Sequence, residues 1–279
     1  MFVGGPGLPA SLMRRDAEVF ADQFRSYLID PPGSGGSTAP SDPGNYDHLG
    51  HARFYDEVRR GLGLDTVTVY GGSFGGTVAL TYAALFPNVA TRCIAVSPFG
   101  LGSEVDEAEG GDAEAEMKRA LARHAGAPWF AEAMEVWDSW TPRVLSVTSA
   151  AEAEHMMRIC LPLYCAHPDK PDVRTELEQA KLLIKVDLAA MKAWEGGLYQ
   201  RIDLRPLLER IKCPVLIVAG ELDLICGPAQ ARRIAEKLPN GALVVIPDCG
   251  HMPAVEVPQT LRSSVIQALQ RHGSAASRF

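Results

Sequence analysis

The chain has 279 residues, of which 47% are hydrophobic and 22% are charged. This length and composition suit either one large globular domain or a core domain that carries a small insertion. The formal net charge of −7 argues against nucleic acid as a partner, because phosphate binding requires a basic surface. No run approaches the roughly 18 apolar residues of a membrane span, so we expect no membrane partner.

The first seven residues, Met1 to Gly7, lack the basic start and apolar segment of a signal peptide. The six cysteines form no CxxC pair, and without a secretory signal they are expected to be reduced thiols. The sequence therefore predicts a cytoplasmic protein that holds no metal and no other cofactor.

In the first hundred residues, short apolar runs alternate with segments of helical spacing. Alternation of this kind predicts an α/β fold with a mostly parallel sheet flanked by helices. The predicted elements are a strand at 26–30, a helix at 47–61, a strand at 66–70, a helix at 77–86 and a strand at 92–97.

The pattern changes at about residue 101, where Ala-, Met- and Trp-rich helical segments begin. We therefore expect a helical cap at 101–200, inserted in a core domain formed by 1–100 and 201–279. The α/β alternation then resumes with a strand at 214–220, a helix at 228–238, a strand at 243–246 and a helix at 258–271.

A G-x-S-x-G motif, Gly71–Gly75, lies between the predicted strand 66–70 and the predicted helix 77–86. In this context the serine occupies a strained turn, and the glycines let strand and helix approach each other. The turn places Ser73 at a helix N-terminus, where N–H groups stabilise an oxyanion. Ser73 is therefore the candidate nucleophile, and a plain tight turn is the alternative.

Ser73 needs a base, and His251 is the candidate because it follows the predicted strand 243–246 in a loop. His48 and His51 are predicted to lie on a solvated helix face. The base in turn needs a carboxylate, and Asp223 completes the order Ser, Asp, His of this fold. Glu221 and Asp248 compete with Asp223 for this role.

The oxyanion hole requires two backbone donors, for which Phe74 and Gly5 are the candidates. A flexible N-terminus is the alternative interpretation of Gly4–Gly7. The glycine-rich loop 30–37 lacks the G-K-[ST] ending of a phosphate loop, so it is predicted to be structural. The four tryptophans of the predicted cap either pack its core or line a pocket over Ser73; they are Trp129, Trp137, Trp140 and Trp194.

Together these motifs resemble the peptidase S33 group of α/β-hydrolases, typified by prolyl aminopeptidases. The matching segments are Gly4–Gly7 (family HGGPG), Asp30–Ser37 (D-x-R-G-x-G-x-S), Gly71–Gly76 (GGSWGG), Gly220–Cys226 and Gly250–His251. The resemblance implies an eight-stranded core sheet under a helical cap. It also implies two strands before Gly4–Gly7. Either the native start lies upstream of Met1, or the N-terminal strands are shortened and leave an exposed sheet edge, which would allow a homo-oligomer.

Val3 replaces the family histidine, and Phe74 replaces the usual tryptophan. The family binds the substrate's free amine with cap glutamates, for which Glu154 and Glu195 are loose candidates. The expected function is a serine hydrolase acting through an acyl-enzyme on a small-molecule or short-peptide substrate. A prolyl aminopeptidase is the first choice and a carboxylesterase or lactonase the alternative. A non-catalytic binding protein on the same fold is the second alternative.

Overall fold

The computed structural model of the protein describes residues 1–101 and 111–275. Its strands are β1 (Val67–Gly72), β2 (Ala90–Val96), β3 (Val215–Gly220) and β4 (Gly241–Ile246). Its helices are α1 (Arg14–Val19), α2 (His48–Gly61), α3 (Phe74–Leu85), α4 (Gly111–Ala122), α5 (Phe130–Asp138), α6 (Trp140–Ser146), α7 (Ala150–Cys160), α8 (Pro171–Leu183), α9 (Leu188–Ala193), α10 (Arg205–Leu208), α11 (Pro228–Glu236), α12 (Pro253–Glu256) and α13 (Pro258–Ala275).

The four strands form one parallel sheet in the order β1-β2-β3-β4. Each of them matches a predicted strand, and helices follow β1, β3 and β4. The predicted α/β architecture is therefore confirmed. Parallel pairing brings the carboxyl ends of all four strands to one edge of the sheet, where the loops after β1, β3 and β4 meet.

Side chains of successive strand residues pack on opposite faces of the sheet. In β3, Leu216 and Val218 belong to one hydrophobic cluster, and Val215, Ile217 and Ala219 belong to the other. This alternation follows from the two-residue period of a strand. All residues of β3 are buried, so the centre of the sheet supports the loops at its carboxyl edge.

The predicted strand at 26–30 is wrong, since this segment has no regular strand structure. A strand forms only where a neighbouring backbone pairs with it. Beside this segment, the Met1 amino group donates one hydrogen bond to the Tyr27 carbonyl at 2.8 Å. Phe2 in turn makes an isolated bridge to Gly71 of β1. A cavity of about 250 Å³ lies between these segments and β1, with Phe24 among the residues that line it.

The eight-stranded sheet implied by the resemblance is likewise wrong for the described part of the chain, which contains four strands. The described residues between β2 and β3 contain helices and no strand. Residues 102–110 of the predicted cap, and residues 276–279 of the predicted core, lie outside the described residues. Within the described ranges, no helix is both long and apolar enough to cross a membrane.

Candidate active site

Ser73 occupies the turn between β1 and α3, where its φ of 54° and ψ of −125° lie outside the usual regions for a side-chain-bearing residue. Its amide donates to the Val96 carbonyl at 2.8 Å, and α3 begins at the next residue. Strain of this kind persists only where the surroundings hold it. The G-x-S-x-G motif thus forms the strained strand–helix turn that the sequence predicted.

The glycines of the motif are required by close backbone contacts. A Cβ on Gly71 would lie 2.0 Å from the Gly75 carbonyl oxygen, and a Cβ on Gly75 would lie 2.1 Å from the Phe2 carbonyl oxygen. Both separations are far shorter than any tolerated contact, so a side chain at 71 would force β1 and α3 apart, and one at 75 would displace the N-terminal segment. The two glycines therefore fix the position of Ser73 above the sheet.

Asp223 and His251 meet at the carboxyl ends of β3 and β4. The His251 Nδ1 atom lies 3.0 Å from Oδ1 and 2.9 Å from Oδ2 of Asp223. Both residues are buried, with exposed fractions of 3% for Asp223 and 7% for His251. The amides of Ile225 and Cys226 donate to Oδ1 of Asp223 at 2.8 and 3.1 Å. These bonds fix the Asp223 carboxylate, which contacts the imidazole through Nδ1.

The pKa values of the pair are set by burial and by the charge of each partner. Burial opposes ionisation of Asp223, but the adjacent His251 and the donated hydrogen bonds hold its pKa below the ordinary value. Burial lowers the pKa of His251, and the Asp223 carboxylate more than reverses this, so the pKa is raised well above that of a free histidine. The pair therefore favours an imidazolium, the state that forms when His251 accepts a proton.

The two other candidates for the acid, Asp248 and Glu221, have different partners. Asp248 is exposed, and its side chain binds His167 Nε2 at 2.7 Å and Arg123 Nη2 at 3.0 Å. Glu221 accepts a hydrogen bond from the Asp248 amide at 3.2 Å. Of the three candidates, the structure brings Asp223 to His251.

The loop Gly4–Gly7 packs against the Ser73 turn. A Cβ on Gly4 would lie 2.7 Å from the Gly72 carbonyl oxygen and 2.9 Å from Ser73 Cβ. Gly5 has a φ of 77°, in the region that favours glycine. The alternative of a flexible N-terminus is wrong, because the Phe2 amide also donates to the Tyr70 carbonyl at 2.8 Å. The structure therefore brings the loop that contains Gly5 next to Ser73 and Phe74.

The prediction of a solvated face for His48 and His51 is wrong, since both are buried. The His48 Nδ1 atom lies 2.8 Å from Thr81 Oγ1 of α3. The His51 ring packs edge-on against Phe74 at 5.0 Å, and burial lowers its pKa to about 4. Polar residues dominate the sequence of α2, but α3 is apolar on all sides and must be covered, so α2 presents this face inward.

Four further residues lie near the site; the sequence suggested Trp194 as a pocket residue and Glu195 as an amine-binding residue, and it suggested no role for Cys226 or Tyr164. Cys226 follows the acid loop, and its thiol hydrogen-bonds the side chains of His251 and Ser73. The Tyr164 ring packs edge-on to His251 at 5.3 Å. Trp194 packs edge-on to Phe74 at 4.7 Å. The order of elements places Cys226 near Asp223, but Tyr164 and Trp194 arrive only through the packing of the helical insertion.

The fourth residue, Glu195, follows Trp194 in an irregular helical turn of the insertion. Its carboxylate accepts hydrogen bonds from Trp140 Nε1 at 2.8 Å and from Thr141 Oγ1 at 2.6 Å. Its charge also reaches Tyr164, whose pKa is raised mainly by burial. Glu195 is thus held within the insertion, one residue after the Trp194 ring that packs on Phe74. Glu154, the other loose candidate, binds Arg158 Nη2 at 2.9 Å.

The loop 30–37 is held by its own aspartate. Asp30 Oδ1 accepts from the Ala10 amide at 2.8 Å, and Oδ2 accepts from the Gly36 amide at 2.9 Å. The Ser37 hydroxyl donates to the Asp30 carbonyl at 2.7 Å. The carboxylate ties the loop to Ala10, and the Gly33, Ser34 and Ser37 amides bond to backbone carbonyls, as expected of a structural loop.

The strained serine turn and the buried acid–base pair on a parallel sheet define an α/β-hydrolase. The chain belongs to the alpha/beta hydrolase fold family, whose sequence profile matches residues 4–258. It is thus a hydrolase of the α/β fold.

Among curated proteins, the chain is 27% identical to a proline iminopeptidase of Clostridium botulinum, over 91% of this chain and 83% of that protein. It is 24% identical to 3-oxoadipate enol-lactonase 2 of Acinetobacter baylyi, over 97% of this chain and 88% of that protein. Among solved structures, an alpha/beta fold family hydrolase from Bacillus anthracis matches with a TM-score of 0.71 at 19% identity, over 95% of this chain and 90% of that one. These relatives support the fold and a hydrolytic reaction, while their named activities differ.

Proposed function

We propose that the protein is a serine hydrolase that acts through an acyl-enzyme, with Ser73, His251 and Asp223 as its catalytic triad. The buried contact of Asp223 with His251 Nδ1, 2.9 Å long, carries this proposal. In the neutral imidazole, a buried carboxylate on Nδ1 holds the proton on that nitrogen and leaves Nε2 able to accept the serine proton. A structural histidine would have no need of a buried carboxylate beside a strained serine.

In the proposed reaction the Ser73 Oγ attacks the acyl carbon while His251 Nε2 takes its proton. The amides of Phe74 and Gly5 stabilise the resulting oxyanion, helped by the N-terminus of α3. His251 then gives the proton to the leaving amine or alcohol, and the acyl-enzyme remains on Ser73. Water, deprotonated by His251, hydrolyses this ester and restores the serine.

We further propose that the helical insertion, 101–200, is a cap over the core formed by 1–100 and 201–279. Two backbone bonds between cap and core support this. The His251 amide donates to the Tyr164 carbonyl at 2.7 Å, and the Asp187 amide donates to the Gly7 carbonyl at 2.8 Å. The cap therefore contacts the loop Pro247–His251, called the histidine loop, and the loop Gly4–Gly7, which contains the proposed oxyanion donor Gly5. At this place it would enclose a small substrate.

The favoured activity is that of a prolyl aminopeptidase-like enzyme, which releases an N-terminal residue. The similarity to a proline iminopeptidase and the half-buried Glu195 carboxylate beside Trp194, whose ring packs on Phe74, support it. An anion there would bind the ammonium group of a free N-terminus. A carboxylesterase or lactonase is the second candidate. It is favoured by the two hydrogen bonds that already occupy Glu195 and by the enol-lactonase relative.

The test compares hydrolysis of proline p-nitroanilide and p-nitrophenyl butyrate by the wild type, Ser73→Ala and Glu195→Gln. Turnover that Ser73→Ala loses by about three orders of magnitude or more supports the serine mechanism. Equal rates for the wild type and Ser73→Ala would overturn it. An aminopeptidase would show a raised KM for the proline amide in Glu195→Gln with unchanged ester hydrolysis. Turnover of the ester alone would establish the esterase.

A further inference from the structure

Glu256 is a carboxylate that the proposed reaction does not use, although it lies five residues after His251. Its Oε1 accepts a hydrogen bond from the Gly250 amide at 2.9 Å, and its Oε2 accepts one from the Ala166 amide at 2.7 Å. The Cys249 thiol also lies 3.8 Å from Oε1. One carboxylate therefore joins the backbone of the histidine loop to the backbone of the helical insertion.

The two backbone segments are also in direct contact. The His251 amide donates to the Tyr164 carbonyl at 2.7 Å. A Cβ on Gly250 would lie 2.7 Å from the Ala166 nitrogen and 2.9 Å from the Tyr164 carbonyl oxygen. Residues 164–166 thus lie against the backbone of Gly250 and His251. This close approach is possible because residue 250 is a glycine.

We propose that Glu256 is a positioning residue, which holds the backbone of Gly250 and His251 against residues 164–166 and so aims the His251 ring at Asp223 and Ser73. The inference rests on the proposed function. Both carboxylate oxygens of Glu256 accept a hydrogen bond from a backbone N–H. A glutamine at this position would instead turn an N–H₂ group, which is a donor, toward the Gly250 or the Ala166 amide. The imidazole would then lose one of its two backbone anchors, and small displacements of a base cost rate steeply.

The experiment compares Glu256→Gln with a matched control, Glu116→Gln. Glu116 is also a buried carboxylate of the insertion, and it accepts from the Ala229 amide at 3.0 Å and from Arg232 Nη1 at 2.7 Å. These partners belong to α11 and not to the histidine loop. For each variant, kcat and KM for p-nitrophenyl butyrate are measured. The low-field proton resonance of His251 Nδ1–H, identified by its loss in His251→Gln, is recorded by NMR.

Glu256→Gln is expected to lower kcat by about tenfold or more with KM changed less than about threefold, since positioning acts on the reaction and not on substrate affinity. The low-field resonance is expected to shift or broaden in this variant and to stay unchanged in Glu116→Gln. An unchanged resonance with kcat within about twofold of the wild type overturns the inference. Equal losses in the two glutamine variants also overturn it, because they indicate general destabilisation.

Failure of the proposed function is separable from failure of this inference. If Ser73→Ala is as active as the wild type, or the wild type turns over no substrate, the serine mechanism fails and the resonance alone decides the role of Glu256. If circular dichroism shows that Glu256→Gln does not fold, Glu256→Asp replaces it. That variant keeps the charge but is too short to reach both amides, and the same loss of kcat is expected. If neither variant folds, Glu256 is a structural residue and the inference is wrong.

Discussion

Gly4 and Ser73 are 69 residues apart in the chain, yet a Cβ on Gly4 would lie 2.9 Å from the Cβ of Ser73. The loop Gly4–Gly7 therefore rests directly on the turn that contains Ser73. The spacing between Ser73 and the proposed oxyanion donor Gly5 depends on this contact and on the Phe2 bridge to β1.

Replacing Gly4 with alanine is expected to lower kcat by roughly 100-fold, because displacement of the loop removes an oxyanion donor from its position. The added methyl group would also cost about 1–3 kcal/mol of unfolding free energy by overpacking. Steady-state kinetics and urea denaturation measure the two effects. Gly61→Ala is the control, since nothing lies within 4 Å of a Cβ there. A Gly4→Ala protein with wild-type kcat would show that the loop plays no part in catalysis.

Asp223→Asn is expected to reduce kcat/KM by about 10³- to 10⁴-fold, because an amide does not hold the required tautomer of His251. In the wild type, the raised pKa of His251 means that kcat/KM should rise with pH through a value above that of a free histidine, as the imidazole loses its proton. Without the Asp223 carboxylate the pKa of His251 should fall, so the rise of kcat/KM should move to lower pH.

Asp248→Asn is the matched control for that variant, since Asp248 is exposed and binds Arg123 and His167 instead of His251. Its pH profile should coincide with that of the wild type. A shift of the profile in Asp248→Asn, with none in Asp223→Asn, would contradict the assignment of the acid.

His51 should make the fold sensitive to acid. Its pKa falls from 6.5 to about 4 in the folded protein, so between these values the unfolded chain binds more protons. Stability is therefore lost as the pH falls from 6.5 toward 4, by up to about 3 kcal/mol. Burial raises the pKa of Asp16 to about 6 and that of Glu256 to about 7, and these groups act in the opposite direction over the same range.

The variant His51→Phe isolates the contribution of the histidine. The wild-type unfolding free energy minus that of the variant should fall with decreasing pH, as measured by urea denaturation between pH 7 and about 4. The Asp47 carbonyl keeps the bond from the residue-51 amide in this variant. His155→Gln, on the exposed part of α7, is the control. A difference that is constant with pH would contradict the burial of a neutral His51.

Cys226 should be the thiol through which alkylating reagents inactivate the enzyme. All six cysteines are free, and five of them are buried. Cys226 is partly exposed and hydrogen-bonds Ser73 and His251, so an added group would block the nucleophile. Because burial raises its pKa, the reaction should be slow at neutral pH and faster at higher pH. Inactivation by N-ethylmaleimide should be absent in Cys226→Ala, and equal inactivation of both proteins would contradict this.

Much of the site followed from local sequence patterns. The strained serine turn is local, because Gly71, Ser73 and Gly75 lie within one strand–helix junction. Asp223 and His251 follow strands of a parallel sheet, whose carboxyl ends must share one edge, so chain order was enough to predict their meeting. The role of the triad in catalysis remains a proposal.

Other features depended on contacts between distant segments. Residues 26–30 have the composition of a strand, but a strand also needs a paired neighbour, and a single hydrogen bond from Met1 does not provide one. The polar sequence of α2 predicted that His48 and His51 are solvated. They are buried instead, because α2 covers the apolar surface of α3. Glu256 has no distinguishing pattern, because its partners are backbone amides at 166 and 250. The sequence by itself determined the α/β order of elements and the local turn chemistry, since both depend on neighbouring residues. Only the tertiary structure decided which polar groups are buried and what they bind, since burial is a property of the packed chain.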